Sequence, residues 1–210
     1  MSYKDLCAEV VNGDVEKVIE LTKKLIEDGK DPLEIMNQGL IAGMDIVGPR
    51  FKNGEMFVPE VLMCAKAMDT GIELVKGALV DTEIPTIGTI IIGTVKGDLH
   101  DIGKNLVAMM MESTGFKVVN LGVDLSEETF VEAVKEHKPN VLALSALLTT
   151  TMSNMKSVID ALEEEGLRDK VKVIVGGAPI SQGFSDDIGA DGFAPDAASA
   201  TELCKDLIAS

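Results

Sequence analysis

The chain reads as an all-α four-helix domain followed by an α/β domain built on a five-stranded parallel sheet, and three observations predict this. Apolar residues recur at helical spacing from Leu6 to Val75, with no strand-like run among them. From Ile87 onward, short Val/Ile/Leu runs alternate with amphipathic segments, the pattern of strands joined by crossover helices. Between the two, Asp81 to Thr86 has no helical period, and Pro85 disfavours helix at Ile84. The boundary therefore falls there, giving residues 1–85 to the helical domain and 86–210 to the α/β domain, with the segment between them a candidate hinge.

In the helical domain Leu6, Val10, Val15, Val18, Ile19, Leu21, Leu25 and Ile26 keep near-helical spacing. Asn12-Gly13-Asp14 interrupts it, so Asn12 or Asp14 caps a second helix, which Gly29 ends. Asp31-Pro32 supplies a cap and a first turn for a third helix through Ile35, Leu40, Met44 and Val47, with Pro49 absorbed as a kink near its end. Pro59-Glu60 opens a fourth, carrying Val61, Leu62, Ala65, Met68, Ile72, Leu74 and Val75. Four helices with short links make a small bundle. Met36, Met44, Met56, Met63 and Met68 are spaced like gap-filling core rather than a soft-metal site.

In the α/β domain, strands are expected near Ile87–Val95, Lys117–Leu121, Asn140–Ala146, Lys170–Val175 and at Gly192-Phe193. The helices between and after them cover Lys104–Ser113, Glu127–His137, Met152–Glu164, the neighbourhood of Ser181–Ile188, and Ala197–Ile208. Near-continuous apolar strands belong to a sheet covered on both faces. The order is that of a flavodoxin-like (Rossmann-like) doubly wound sheet, which binds its ligands at strand-to-helix loops.

Composition narrows the function. A formal charge of −16, from 19 Lys+Arg against 35 Asp+Glu, argues against nucleic acid or an anionic membrane as partner. No long apolar segment and no basic-apolar leader is visible, so a cytoplasmic location is expected. Cys7, Cys64 and Cys204 are scattered and form no Cys-x-x-Cys pair, which fits reduced thiols rather than zinc or iron–sulfur sites.

The stretch Gly97-Asp98-Leu99-His100-Asp101-Ile102-Gly103-Lys104-Asn105 follows the first strand and opens a helix. A His between two Asp residues is either a surface turn or a metal ligand whose second nitrogen is held by a carboxylate. Ser145-Ala146-Leu147 closes the third strand and Gly176-Gly177 the fourth; the glycine pair by itself is equally a plain turn.

Asp-x-His-x-x-Gly, then Ser-x-Leu, then Gly-Gly, in that order and spacing, resembles the cobalamin-binding domain of methionine synthase and its relatives. Gly43-Met44-x-x-Val47-Gly48-x-x-Phe51 and Phe57-Val58-Pro59-Glu60-Val61 resemble the cap motifs of the same module, although the residues alone also suit ordinary bundle core. Over nearly its whole length the chain is similar to free-standing corrinoid proteins of the systems that demethylate methylamines, methanol, methoxylated aromatics or betaines.

That resemblance implies a cobalamin or related corrinoid, bound base-off with His100 as lower axial ligand to cobalt and Asp98 holding the far imidazole nitrogen. Gly97, Asp101 and Gly103 share the ligand loop, and Thr151 stands where methionine synthase has a Ser that completes the relay. A threonine hydroxyl makes the same bond from a stiffer side chain. Ser145, Leu147, Thr149, Gly176, Gly177 and Ala197 match positions that admit the nucleotide tail, while Phe51 and Val58 match side chains over the upper corrin face. The implied function is a methyl carrier cycling between Co(I) and methyl-Co(III). Its partners would be a substrate-specific methyltransferase, a second methyltransferase serving tetrahydrofolate or another acceptor, and a reductive activase. No side chain looks suited to activating the methyl donor, so the chain is not expected to be catalytic alone. The alternatives are the small subunit of an adenosylcobalamin-dependent mutase, which needs a substrate barrel, and a cobalamin sensor, which needs a DNA-binding segment.

Overall fold

The computed structural model describes residues 2–78 and 86–209, so residues 81–85 of the expected hinge lie outside the described residues. Two compact units are present, Met1–Pro85 with Ser113–Gly115, and Thr86–Glu112 with Phe116–Ser210.

In the first unit, α1 (Tyr3–Val11) opens on a capping box between Ser2 and Asp5. α2 (Val15–Glu27) is capped by Asp14, whose Oδ1 accepts from the Lys17 N–H at 3.1 Å, whereas Asn12 closes α1. The third helix is a run of three pieces: α3 (Pro32–Glu34), a π-helical turn (Ile35–Ile41) and α4 (Ala42–Lys52). Asp31 Oδ1 accepts from the N–H groups of Leu33 (2.7 Å) and Glu34 (3.3 Å), and α4 continues through Pro49 to Lys52. The wider i→i+5 bonds of the π turn re-phase the buried stripe between Ile35, Met36 and Leu40 and the following Met44 and Val47. α5 (Val58–Ala78) starts one residue before Pro59, where the Glu60 side chain accepts from the Phe57 N–H at 2.8 Å. Met36, Met44 and Met68 are buried core, while Met63 is 49% exposed.

Three helical glycines, Gly39 against Leu6 among them, set how closely the bundle packs. A Cβ on Gly43 would lie 2.6 Å from both Cβ and Cγ1 of Val10; one on Gly71 would lie 2.5 Å from Leu40 Cδ2. Val10 is β-branched and cannot swing away, whereas Leu40 offers the far end of a flexible chain. Gly43→Ala is therefore expected to lower stability by about 1–3 kcal/mol from overpacking, offset by up to about 1 kcal/mol of helix propensity. Gly71→Ala should cost less, and urea unfolding of the two variants checks the order.

The second unit contains β1 (Thr89–Thr94), all but the last residue of α6 (Ile102–Ser113), β2 (Lys117–Asn120), α7 (Glu127–His137), β3 (Val141–Ser145) and α8 (Ser153–Glu164). A 3₁₀ turn (Arg168–Lys170), β4 (Lys172–Gly176), α9 (Gln182–Ile188), β5 (Gly192–Phe193) and α10 (Ala197–Ala209) complete it. The strands pair in parallel in the order β2-β1-β3-β4-β5, the flavodoxin-like arrangement expected, with its switch point between β1 and β3. Alternate strand residues feed two core layers. Ile91, Leu142 and Val173 pack with Phe130, Met155 and Ile159, whereas Ile90, Val141 and Ile174 pack with Ala108, Met111 and Cys204. Burial pushes the Cys204 thiol up to about 12, and none of the three cysteines forms a disulfide.

The strands are shorter than their apolar runs suggest. Asn140 Oδ1 accepts from the Thr89 N–H at 2.9 Å, and β1 begins there, leaving Ile87 47% exposed. Before β4, Arg168 Nη2 lies 2.8 Å from Asp191 Oδ2 and donates to the Gly189 carbonyl at 2.7 Å; this staple holds Arg168–Lys170 in the 3₁₀ turn, so Lys170 is not in the strand. At the other edge the register is even: Thr94 lies beside Ser145, and Ser145 beside Gly176. Three strand ends thus finish in one row, and the loops leaving β1 and β3 flank the switch point.

Candidate functional site

Asp98, in the loop from β1 to α6, is fully buried. Its Oδ1 accepts from the His100 backbone N–H at 3.1 Å and lies 2.7 Å from His100 Nδ1. Its Oδ2 faces the β3 loop, accepting from the Leu147 N–H (2.8 Å), the Leu148 N–H (3.3 Å) and the Thr151 hydroxyl (2.7 Å). Burial by itself pushes this carboxyl up, but the hydrogen bonds from Thr151, His100 and the Leu147 amide outweigh it and hold the group well below the usual carboxylate range. An ionised Asp98 accepts only, so Nδ1 of the His100 ring carries a proton toward it, and in the neutral imidazole the lone pair is on Nε2. The His100 side chain is 50% exposed, and its Nε2 has no hydrogen-bond partner among the described residues. An imidazole fixed on one side by a carboxylate and open on the other is the arrangement of a metal-ligating histidine.

The loop that carries this pair is laced from three sides. Thr94 Oγ1 donates to the His100 carbonyl at 2.9 Å. Asp124 Oδ1 accepts from the Gly97 N–H at 2.7 Å, and the Asp124 N–H donates to the Asp98 carbonyl at 3.0 Å. Gly97 (φ +80°) and Asp124 (φ +55°) are both left-handed, so two tight turns interlock. Thr94, Asp124 and the Leu148 amide escape sequence reasoning, because a lone Thr, Asp or backbone N–H carries no spacing signal. α6 begins at Ile102 rather than Lys104, which puts Gly103 inside the helix; nothing lies within 4 Å of where its Cβ would be. Asp101 is exposed, its carbonyl accepting from the Asn105 N–H at 2.7 Å and its Oδ2 from Asn105 Nδ2 at 3.0 Å.

The remaining expected residues fall in several places. Ser145 ends β3 half-buried and Thr149 is exposed; neither hydroxyl has a hydrogen-bond partner among the described residues. Gly176 ends β4, and Gly177 follows at φ +129°, where a Cβ would stand 1.8 Å from the Ala146 carbonyl oxygen. The adjoining β3 exit therefore demands that glycine, whether or not a ligand also does. Ala197 opens α10 and is buried at 4% exposure, with Asp196 Oδ1 accepting from the Ser199 N–H beside it at 2.8 Å. Phe51 lies half-buried in α4 and Val58 exposed at the start of α5, both in the first unit. Around His100, Leu99 (70%), Ile102 (85%), Leu147 (43%) and Leu148 (41%) are exposed on the loops leaving β1 and β3 and at the start of α6. Four large apolar side chains in water beside a polar ligand loop suit a broad, largely apolar ligand.

Comparison with known proteins gives the following. Residues 88–203 match the model of a B12 binding domain, and residues 3–76 match a second B12 binding domain model. The chain is 46% identical over 184 residues to trimethylamine corrinoid protein 1 of Methanosarcina acetivorans, covering 87% of this chain and 85% of that one. It is 42% identical over 213 residues to the dimethylamine corrinoid protein of Methanosarcina barkeri, covering 100% of both. Among solved structures it superposes with a TM-score of 0.88 on a chain of the methanol:cobalamin methyltransferase complex of Methanosarcina barkeri, at 35% identity, covering 98% of this chain and 78% of that one.

Proposed function

From the premise that this chain belongs to the B12-binding corrinoid proteins of methyltransferase systems, we propose that it binds a corrinoid base-off beside the β1/β3 switch point, with His100 Nε2 on cobalt, and carries a methyl group on it. The observation that carries this reading is the His100 ring, anchored through Nδ1 to a buried carboxylate and open at Nε2. The exposed Leu99, Ile102, Leu147 and Leu148 support it as well, since they suit contact with a large planar ring.

The corrinoid, when bound, supplies a cobalt that accepts and hands on a methyl group. The chain's own part is to hold and orient. Asp98 keeps the His100 proton on Nδ1 and shares it as the basicity of the imidazole changes, and Thr151 with the Leu147 amide keeps Asp98 ionised. Gly97, Asp101 and Gly103 shape the ligand loop, while Ser145, Leu147, Thr149, Gly176, Gly177 and Ala197 are proposed to line the way for the nucleotide tail. The role of Phe51 and Val58 as a shield for the ring's other face rests on the resemblance of their segments. Activation of the methyl donor falls to other proteins, and the proposed partners are a substrate-specific methyltransferase, a second methyltransferase for tetrahydrofolate or another acceptor, and a reductive activase. Among the described residues no helix is long and apolar enough to cross a membrane.

The test is reconstitution with hydroxocobalamin followed by paramagnetic resonance of the cobalt(II) form. A nitrogen triplet that becomes a doublet when the protein's histidines carry the heavy nitrogen isotope is the expected result. A triplet that labelling leaves untouched would come from the cofactor's own base and would sink the His100 assignment.

A further inference from the structure

Building on the corrinoid-carrier reading, we propose that Lys104 is a fixed positive charge that sets the reduction potential of the bound cobalt in favour of Co(I). Lys104 lies in the first turn of α6 and is only 4% exposed. Its Nζ donates to Asn105 Oδ1 at 2.7 Å and to Asn120 Oδ1 at 2.6 Å. Asn120, the last residue of β2, closes the cluster by donating from Nδ2 to Asn105 Oδ1 at 3.0 Å. Both acceptors of the ammonium are neutral amides, and it forms no ion pair among the described residues. Asp101, exposed, accepts from Asn105 Nδ2 at 3.0 Å without bonding the ammonium directly, and it is the acidic side chain whose charge Lys104 feels.

Three local preferences are overridden at this one position. An ammonium is buried, it makes no direct ion pair, and it stands at the helix end where the backbone dipole disfavours a cation. A Met or Leu would fill the same space without the desolvation cost, so the charge itself is the feature to be explained. A buried cation paired only by exposed Asp101 at a distance projects a field that solvent screens little. The fold also holds that field in fixed relation to His100. Asn120 Oδ1 accepts from the Gly122 N–H at 3.1 Å, the Gly122 carbonyl accepts from the Thr94 N–H at 3.1 Å, and Thr94 Oγ1 donates to the His100 carbonyl at 2.9 Å. Transfer of one electron from a low-potential donor to Co(II) lowers the charge at cobalt by one, and a nearby cation stabilises that product over the reactant.

Two variants separate charge from packing: Lys104→Met removes the cation, and Asn120→Asp leaves it in place but sets a carboxylate against it. The protein, reconstituted with hydroxocobalamin, is titrated by spectroelectrochemistry, with cobalt(II) paramagnetic resonance recording histidine coordination. Both variants are expected to move the Co(II)/Co(I) midpoint to more negative potential. The Lys104→Met shift should be on the order of tenfold in the equilibrium, about 59 mV for one electron, and that of the more exposed Asn120→Asp smaller. If Lys104 only braces the loop, Lys104→Met with histidine coordination retained leaves the midpoint at the wild-type value, and that result overturns the inference; where Lys104→Met fails to fold, a wild-type midpoint in Asn120→Asp overturns it instead. A wild type without histidine-derived splitting overturns the carrier reading and this inference with it, whereas normal splitting with unmoved midpoints overturns this inference alone.

Discussion

Replacing His100 with alanine is expected to leave a folded protein that binds corrinoid at least about tenfold more weakly and whose cobalt(II) spectrum has lost its histidine-derived splitting. The fold should survive because Asp98 keeps its other donors. Its Oδ2 still accepts from Leu147, Leu148 and Thr151, and its Oδ1 still accepts from the backbone N–H of residue 100. The lost imidazole was half exposed, so little apolar burial goes with it. Residual corrinoid would be held by the remaining loop contacts. Titration of both proteins with hydroxocobalamin gives the affinity change, and an unaltered spectrum in the variant would count against His100 as the ligand.

Asp98→Asn should have the larger effect on stability. An amide presents one oxygen and one NH₂, but both faces of Asp98 meet donors: the Leu147 and Leu148 amides and the Thr151 hydroxyl on one side, the His100 N–H and ring on the other. If the NH₂ faces β3, buried donors are left opposed. If it faces His100, the ring must turn over its tautomer and place a proton on Nε2, the nitrogen proposed to ligate cobalt. Unfolding in urea should show a loss of roughly 3 kcal/mol, from opposed donors and missing charge-assisted bonds. In protein that still takes up corrinoid, the weaker imidazole donor should ease reduction and move the Co(II)/Co(I) midpoint to more positive potential. A midpoint equal to wild type across a pH series would leave Asp98 a purely structural role. Because the folded state depresses the Asp98 pKa, its contribution is present in full above the unfolded value of about 3.9 and erodes as pH falls below it. The stability gap between wild type and Asp98→Asn in the cofactor-free protein should therefore hold steady near neutrality and narrow only in acid.

Most elements were legible because periodicity is local. The α7 bounds Glu127–His137 and the two-residue β5 at Gly192-Phe193 follow from alternating apolar runs and their punctuation. The π turn at Ile35–Ile41 was not legible, since its extra residue per turn leaves apolar positions that a 3.6-residue period fits about as well. Arg168–Lys170 turned out to be a 3₁₀ turn because Arg168 is held by Asp191, more than twenty residues on, a pairing no local window contains. The same distinction runs through the site. His100 and Asp98 stand two residues apart and announce themselves as a pair, whereas Asp124 reaches Gly97 only because β2 lies beside β1 in the sheet. Gly177 was legible as a glycine but not for its reason, the Ala146 carbonyl packed against it.

A buried carboxylate joins the loop after β1 to the loop after β3. A ligand loop free to wander would have to surrender its conformational freedom at the moment of capture, and that loss would be deducted from affinity. Here the freedom of residues 97–100 and of Leu147 and Leu148 is surrendered when the chain folds, before any ligand arrives. The entropy of ordering the site is charged to folding, so the protein meets its ligand as a template already set.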